Sequence, residues 1–500
     1  MVLHLVLFLD AGFALAELPV FVASSGYDLG NFGNYPIQTF KSSKAIAPRP
    51  NLLRQDSSCA RSSKIVFAPR ALVRAPPSLQ ATIMDAHGHL VWTSGWDDMY
   101  IYNLMVQKYE DHNYLTFWAG PKPAGGRGAG AYYVLDETYN LTAKFEAAHG
   151  LQGDLHEFRF TDRGTVLLTA YDIKDHDLSS LGKTIGPIWD CLLQEVDIRT
   201  GDLLFEWRAS DHISISDTYT AIGDTGDPGG APFDWLHINS VDKDAKGNYL
   251  VSCRFLHALA YVQGRTGNVV WVLGGKNNMF SDLSAGRATG FAMQHDARWD
   301  SDYSEITLFN NGANDSEARG MRIAVDQTAM TAKLVTEYES PHHIRSATQG
   351  SMQNLPGGNV LLSFGRSAAF TEFSRHGKVL CDTHFGPEYR FNSGEVQSYR
   401  VLKYDWKGYP TTNPDLAVVQ DDAMIWRAYV SWNGATEVTE WVLQGTDSDL
   451  SGSEWRVVGT KLRDGFETDF LLGADHPRHL RAVGLDHKGN ALGTSMPVNV

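Results

Sequence analysis

Beyond its first sixteen residues the sequence has no stretch approaching the roughly 18 consecutive apolar residues of a membrane-spanning helix, so no membrane is expected for the mature form. Clusters of Lys or Arg are missing as well: 43 basic residues stand against 58 acidic ones, a net charge of −15. Nucleic-acid binding draws on clustered cations that displace counterions, so no nucleic-acid partner is expected. Cysteine is scarce. Cys59, Cys191, Cys253 and Cys381 contain no C-x-x-C pair, which argues against a cysteine zinc site. They allow three pairings that the sequence does not choose among, and Cys253 and Cys381, in expected strands, read as buried thiols. From Ser63 to about Gly408 no segment combines helix caps with 3.6-residue periodicity, so a helical architecture is excluded there.

The run MVLHLVLFLDAGFALA ends in Ala14-Leu15-Ala16, a small-x-small pattern that suits a cleaved secretion signal over 1–16. No Lys or Arg precedes it and Asp10 interrupts it, as a buried N-terminal strand would also allow. In a secreted glycoprotein, Asn140-Leu141-Thr142 and Asn314-Asp315-Ser316 are acceptor sequons.

What the chain has in quantity is a repeat, returning about every fifty to sixty-five residues. Each copy ends in a strand, a turn with Asp, Gly or Asn, and an apolar or aromatic strand: ATIMDAHGHLVWTSG, YYVLDETYNLTAKFEA, LQEVDIRTGDLLFEWRA, AYVQGRTGNVVWVLGG, RIAVDQTAMTAKLVTEY and TEFSRHGKVLCDTHFG. Sheets this small cannot bury their own faces, and stacking them radially supplies the shared core. The expected fold is all-β: a six-bladed β-propeller over 63–408 followed by a C-terminal β-sandwich of immunoglobulin or fibronectin type over 409–500. Residues 17–62 are irregular and are expected to pack over the propeller. Two stretches break the tight-turn pattern, SSLGKTIGPIWD and SDHISISDTYTAIGDTGDPGGAPFD, and are expected to cover a channel mouth.

Five opening strands place Asn103, His156, His237, His295 and Gln349 in one slot, at intervals of 53, 81, 58 and 54 residues. Innermost strands line a propeller's channel, so three imidazoles are expected to converge there. A lone histidine is more often a packing residue; three in register point to chemistry, as bases, nucleophiles or metal ligands. Candidate catalytic groups are therefore His156, His237 and His295 with Arg319, which could grip an anion bidentately. Candidate substrate contacts are Asn239, Gln349, Asn103, Arg322, Trp235 and Trp299, the aromatics serving as an aryl wall or as core. No metal and no cofactor is expected; the partner is a small aromatic or phenolic molecule, and a homodimer is left open.

The segments FDWLHINSVDKDAKGNYLVSCR, QHDARW, SEARGM and GSMQNLPGGNVLLSFG, with SYRVLKYDWKGYP and VSWNGATEVTEW in the tail, resemble the arylsulfotransferase family in its branch common in filamentous fungi. The resemblance covers about residues 63–500. It implies a six-bladed propeller whose bacterial relatives move a sulfuryl group between phenols, without a nucleotide sulfate donor, through a sulfated histidine. By motif, His237 and His295 match two family histidines and Arg319 the arginine. One position departs: where the family's nucleophilic histidine is expected, this chain has Gln349, Gly350 and Ser351, with His342 and His343 upstream. Two enzymatic readings follow, sulfuryl transfer between phenols, and acid–base or cyclisation chemistry of fungal secondary metabolism in the same fold. A non-catalytic binding propeller is the third.

Overall fold

Alternation of apolar and polar residues between Gly, Asn and Asp turns gives strands almost throughout. A computed structural model describes residues 17–500 apart from 61, 73–79, 97, 314–315, 422 and 449–453. The expected leader and the sequon at Asn314 lie outside the described residues, whereas Asn140 is exposed.

Among the described residues six sheets follow the repeat, antiparallel except for short parallel additions at their outer edges, Phe21–Val22 on Asn51–Gln55 and Ser281–Asp282 on Thr331–Glu339. The second runs through Tyr100–Tyr109, His112–Gly120, Ala131–Leu135 and Leu141–Phe145, and the third through Gly153–Phe160, Thr165–Asp177, Ile185–Asp197 and Leu203–Arg208. The fourth comprises Ile238–Lys243, Tyr249–Cys253, Ala258–Val262 and Val269–Gly274; the fifth is built on His295–Trp299, Glu305–Asn310, Arg319–Asp326 and Thr331–Glu339. The sixth orders Ser351–Asn354, Val360–Ser363, Ala369–Phe373 and Val379–His384, and gains Asn51–Gln55 and Phe21–Val22 at its outer edge. The first is assembled from distant parts. Lys64–Phe67, Thr82–Met84 and Leu90–Thr93 receive Val401–Tyr404 as their innermost strand.

Each neighbouring pair of sheets encloses its own apolar cluster. Val66 and Trp92 meet Leu104 and Phe117 between the first and second, and Trp118 and Tyr132 meet Phe158 and Leu192 between the second and third. Leu193 and Trp207 meet Trp235 and Val251 next, then Trp271 and Leu273 meet Trp299 and Ile306. Phe309 and Tyr338 meet Met352 and Leu362, and Leu361 and Phe370 meet Phe67 and Val401. The succession of interfaces returns to its start, the signature of a β-propeller.

Two further antiparallel sheets lie C-terminal to the ring. Asp415–Gln420, Trp426–Ser431 and Glu467–Leu471 form one, and Glu440–Thr446, Arg456–Leu462, His479–Leu485 and Ala491–Thr494 the other. Both contribute to one core containing Ala428, Val430, Trp441, Leu443, Phe470 and Leu480.

Two expectations need correction. Cys381 is no free thiol: it is joined to Cys59, while Cys191 and Cys253 are free and buried. The second half of SSLGKTIGPIWD is not an irregular loop either, because strands Thr165–Asp177 and Ile185–Asp197 stay paired out to Asp177 opposite Ile185.

Candidate active site

The slot read from the sequence sits where the inner strands bulge. Register slips between Gly153 and Phe158, between Ile238 and Ser240, and between His295 and Arg298. Asn103, His237, Asp296 and Gln349 have φ of 56°, 57°, 54° and 67°. Non-glycine residues in this left-handed region cost of order 1–3 kcal/mol each and persist where surrounding contacts dictate them. A bulge turns a side chain out of the ladder's alternation, and here it turns polar groups toward the axis.

Three imidazoles do converge. The His156 and His237 rings are 4.8 Å apart, edge to face. Tyr399 lies 5.6 Å from His156 and 6.4 Å from His295, centroid to centroid. Each of the first two rings is held by a carboxylate upstream in sequence. His156 Nδ1 donates to Asp154 Oδ2 at 2.6 Å, and His237 Nδ1 donates to Asp234 Oδ2 at 2.7 Å. This fixes the tautomer with the lone pair on Nε2, and Nε2 of neither ring makes a hydrogen bond among the described residues. Burial pushes His237 down to about 4 against the opposing pull of Asp234, so the ring is neutral near pH 7. Burial opposes the charged form of Asp154 and Asp234, but the adjacent imidazoles, joined at Asp234 by Arg127, outweigh it and both carboxyls lie below their usual range.

His295 is different. Its Nδ1 donates to Asn311 Oδ1 at 2.6 Å and its Nε2 accepts from the Gln349 backbone N–H at 3.2 Å, so both nitrogens are occupied. Burial and then the Arg254 guanidinium push it well below the usual histidine range. Arg254 donates to Ala347 O at 3.2 Å, lies over Phe255, and is pushed down to about 10 by burial.

Below the imidazoles the axis is filled. Arg400 approaches groups from four sheets: Asn103 Oδ1 at 2.6 Å, Glu157 Oε1 at 3.3 Å, Asn239 O at 3.5 Å and Asp296 Oδ1 at 3.3 Å. Arg298 completes the group, 2.6 Å from Glu157 and 2.8 Å from Asp296. Burial would raise Glu157, but Arg298 and then Arg400 hold it down at about 2. A cavity of about 480 Å³ beyond this plug is lined by Arg159, Arg298, Trp299, Arg322, Gln353 and Tyr404, none of them an imidazole.

Four of the expected residues lie away from the imidazoles. Arg319 is not at the imidazoles: it lies on the third strand of its sheet, 3.4 Å from Glu337 and 3.2 Å from Glu339. Arg322 pairs with Glu305 at 2.9 Å and bonds Asn354 on the far side of the plug. Trp235 is packed in the core between the third and fourth sheets. Trp299, about 13 Å along an extended strand from His295, packs edge-on to Tyr261 and Trp271. Asn103, Asn239 and Gln349 stay on the axis as frame rather than as free contacts. Asn103 accepts from Arg400, Asn239 donates to Gln294 O, and Gln349 bridges Arg70 and Gln397.

Sequence reasoning missed the orienting acids, although D-x-H at Asp154–His156 and D-x-x-H at Asp234–His237 signalled them. It also missed Arg254, Tyr399 and Arg400; the last two immediately precede the strand Val401–Tyr404 that completes the first sheet. The covering groups come from loops. Arg127 pairs with Asp234 and stacks over Trp189, and a Cβ on Gly126 would stand 3.5 Å from His237 Cε1.

The family model of arylsulfotransferase (ASST) matches residues 105–386. None of the curated proteins compared matches the chain. Among solved structures, a protein of unknown function from Bacteroides caccae is 9% identical, with a TM-score of 0.40 over 68% of this chain and 98% of that one. The periplasmic gluconolactonase of Pseudomonas aeruginosa is 13% identical, with a TM-score of 0.30 over 80% and 96% of the two chains. A streptogramin B lyase is 10% identical, with a TM-score of 0.30 over 67% and 96%.

Proposed function

The chain belongs to the arylsulfotransferase family, and from that premise we propose that it acts on a small phenolic molecule at the Nε2 atoms of His156 and His237. The carrying observation is the pair of adjacent imidazoles whose Nδ1–H groups are committed to buried carboxylates. A neutral imidazole so held is a nucleophile or base at Nε2, and its carboxylate stabilises the charge that develops during reaction. In sulfuryl transfer, Nε2 of His237 attacks sulfur of an aryl sulfate, an N–S bond forms and the S–O bond to the phenol breaks. The phenolate departs as the anion, and Asp234 balances the charge left on the His237 ring. An incoming phenol then gives its proton to Nε2 of His156 as its oxygen attacks sulfur, the N–S bond breaks, and His156 passes that proton to the released phenolate. Arg254, whose charge acts on both His237 and His295, takes the place first given to Arg319.

A second reading keeps the two dyads and omits sulfate. It is favoured by Gln349, which stands where the family's later histidine is expected and is tied into the frame, while its backbone blocks His295. Under this reading one imidazole removes a proton from the substrate and the other delivers one.

Incubation with 4-nitrophenyl sulfate and a phenol acceptor separates the two. The first reading expects nitrophenol release matched by acceptor sulfation, a mass gain of one SO3 on His237 after quenching without acceptor, and loss of both in His237→Ala. A folded sample that sulfates no acceptor removes it. The Cys59–Cys381 disulfide supports secretion, since oxidising compartments are where such bonds persist. No helix among the described residues is long and apolar enough to cross a membrane.

A further inference from the structure

A second cluster of titratable side chains lies at the end of the strand Val379–His384 in the sixth sheet, remote from the imidazole pair in chain and in contacts. His384 ends the strand Val379–His384, and its side chain is fully buried. Its Nδ1 donates to Asp28 Oδ1 at 2.7 Å, while its Nε2 is buried and has no hydrogen-bond partner. A buried polar atom left unmatched costs about 1–3 kcal/mol, so such an atom calls for a ligand. Asp382, two residues earlier on the same strand face, is 2% exposed. Its Oδ1 accepts from Thr371 Oγ1 at 2.7 Å, and its Oδ2 faces His342 Nε2 at 2.9 Å. The His342 and His384 rings are 4.8 Å apart, and ligand atoms of His342, Asp382 and His384 all lie within 4.8 Å of one another.

We propose that His342, Asp382 and His384 form a divalent transition-metal site suited to zinc. Two imidazoles and a carboxylate are borderline donors that suit zinc better than magnesium or calcium, which prefer all-oxygen shells. Tetrahedral zinc at about 2.0–2.1 Å from each donor brings the donors to roughly 3.3 Å apart, within reach of small side-chain rotations. The outer contacts that orient such ligands are in place: Asp28 fixes the His384 tautomer with Nε2 as the lone pair, and Thr371 holds Asp382. His342 is 30% exposed on its side chain, which gives an entry path and a fourth position for water. The ion would join the turn after the fifth sheet to the sixth sheet's strand Val379–His384 and, through Asp28, to the N-terminal segment. The same strand carries Cys381, bonded to Cys59. A structural clamp on this corner, independent of catalysis, is the role assigned.

The test uses the full chain stripped with chelator, equilibrated with zinc chloride and desalted, with metal measured by elemental analysis. One zinc per chain is expected, with tetrahedral visible bands when cobalt(II) replaces it and a zinc-dependent rise in Tm. His342→Ala, at a half-buried position that folding tolerates, should weaken zinc binding at least tenfold and abolish the Tm rise, while His343→Ala, an exposed neighbour, should change neither. Failure of the folded wild type to retain zinc, or equal retention by His342→Ala, overturns the proposal. Circular dichroism identical to wild type keeps the variant's result interpretable.

Discussion

An imidazole held by a carboxylate differs from a free one in tautomer and in position, and the two can be separated by substitution. Asp234→Asn keeps the hydrogen-bonding shape but lets His237 present the wrong tautomer. Its kcat should fall by about a hundredfold or more with KM little changed, read from initial rates on whichever substrate proves active. His237 is buried neutral, so its pH behaviour has a definite sign. Its folded value of about 4 lies below the unfolded 6.5, so its contribution to stability is complete above 6.5 and is lost as pH falls toward 4. Denaturant unfolding at pH 5 should show about 2 kcal/mol less stability than at pH 7.5 from this residue alone. The acid limb of kcat/KM should have its midpoint near 4 rather than near 6.5. Glu157 compensates two guanidinium groups at the axis, and Glu157→Ala should destabilise by about 3–5 kcal/mol, measured by the denaturant midpoint, because it leaves buried cations unmatched.

At the scale of strands and loops, bulged inner strands aim the site and a glycine-rich loop covers it. Gly126 has φ +82° and faces His237, so Gly126→Ala combines backbone strain with contact against the imidazole. Activity should fall while Tm drops only by the few degrees that about 1 kcal/mol implies; unchanged rates would show that this loop does not cover the reacting ring. The same elements show why sequence reading went as far as it did. The strand cadence was legible because a half-buried sheet demands alternation, and the histidine slot was legible because it repeats at a fixed rung. Which arginine meets the imidazoles was not: Arg319 has the family spacing, yet it sits two strands outward from the axis and meets glutamates there. Trp235 and Trp299 flank histidines in sequence, but their rings pack between sheets, where apolar burial is greatest. Arg400 and Tyr399 escaped notice because they immediately precede a strand that belongs to a sheet begun more than three hundred residues earlier.

For the whole molecule, closure rests on pairing between distant parts of the chain. Val401–Tyr404 pairs with Lys64–Phe67, and Cys59 is bonded to Cys381 across a sequence separation of 322. A cross-link over so long a loop restricts the unfolded chain strongly, and Cys59→Ser with Cys381→Ser should lower stability by about 2–5 kcal/mol without moving the imidazoles. Calorimetry with retained activity at low temperature would show this; a Tm equal to wild type would place the bond outside the folding unit.

The late arrival of the closing strand has a consequence for biosynthesis. While the ribosome is still making the chain, the oldest sheet waits with a bare inner edge, and the growing molecule is an open crescent with adhesive ends. Only after residue 404 emerges can the two ends meet. Shortening the protein anywhere before that point therefore removes more than a tail: it leaves a permanently unfinished ring, prone to joining its neighbours edge to edge.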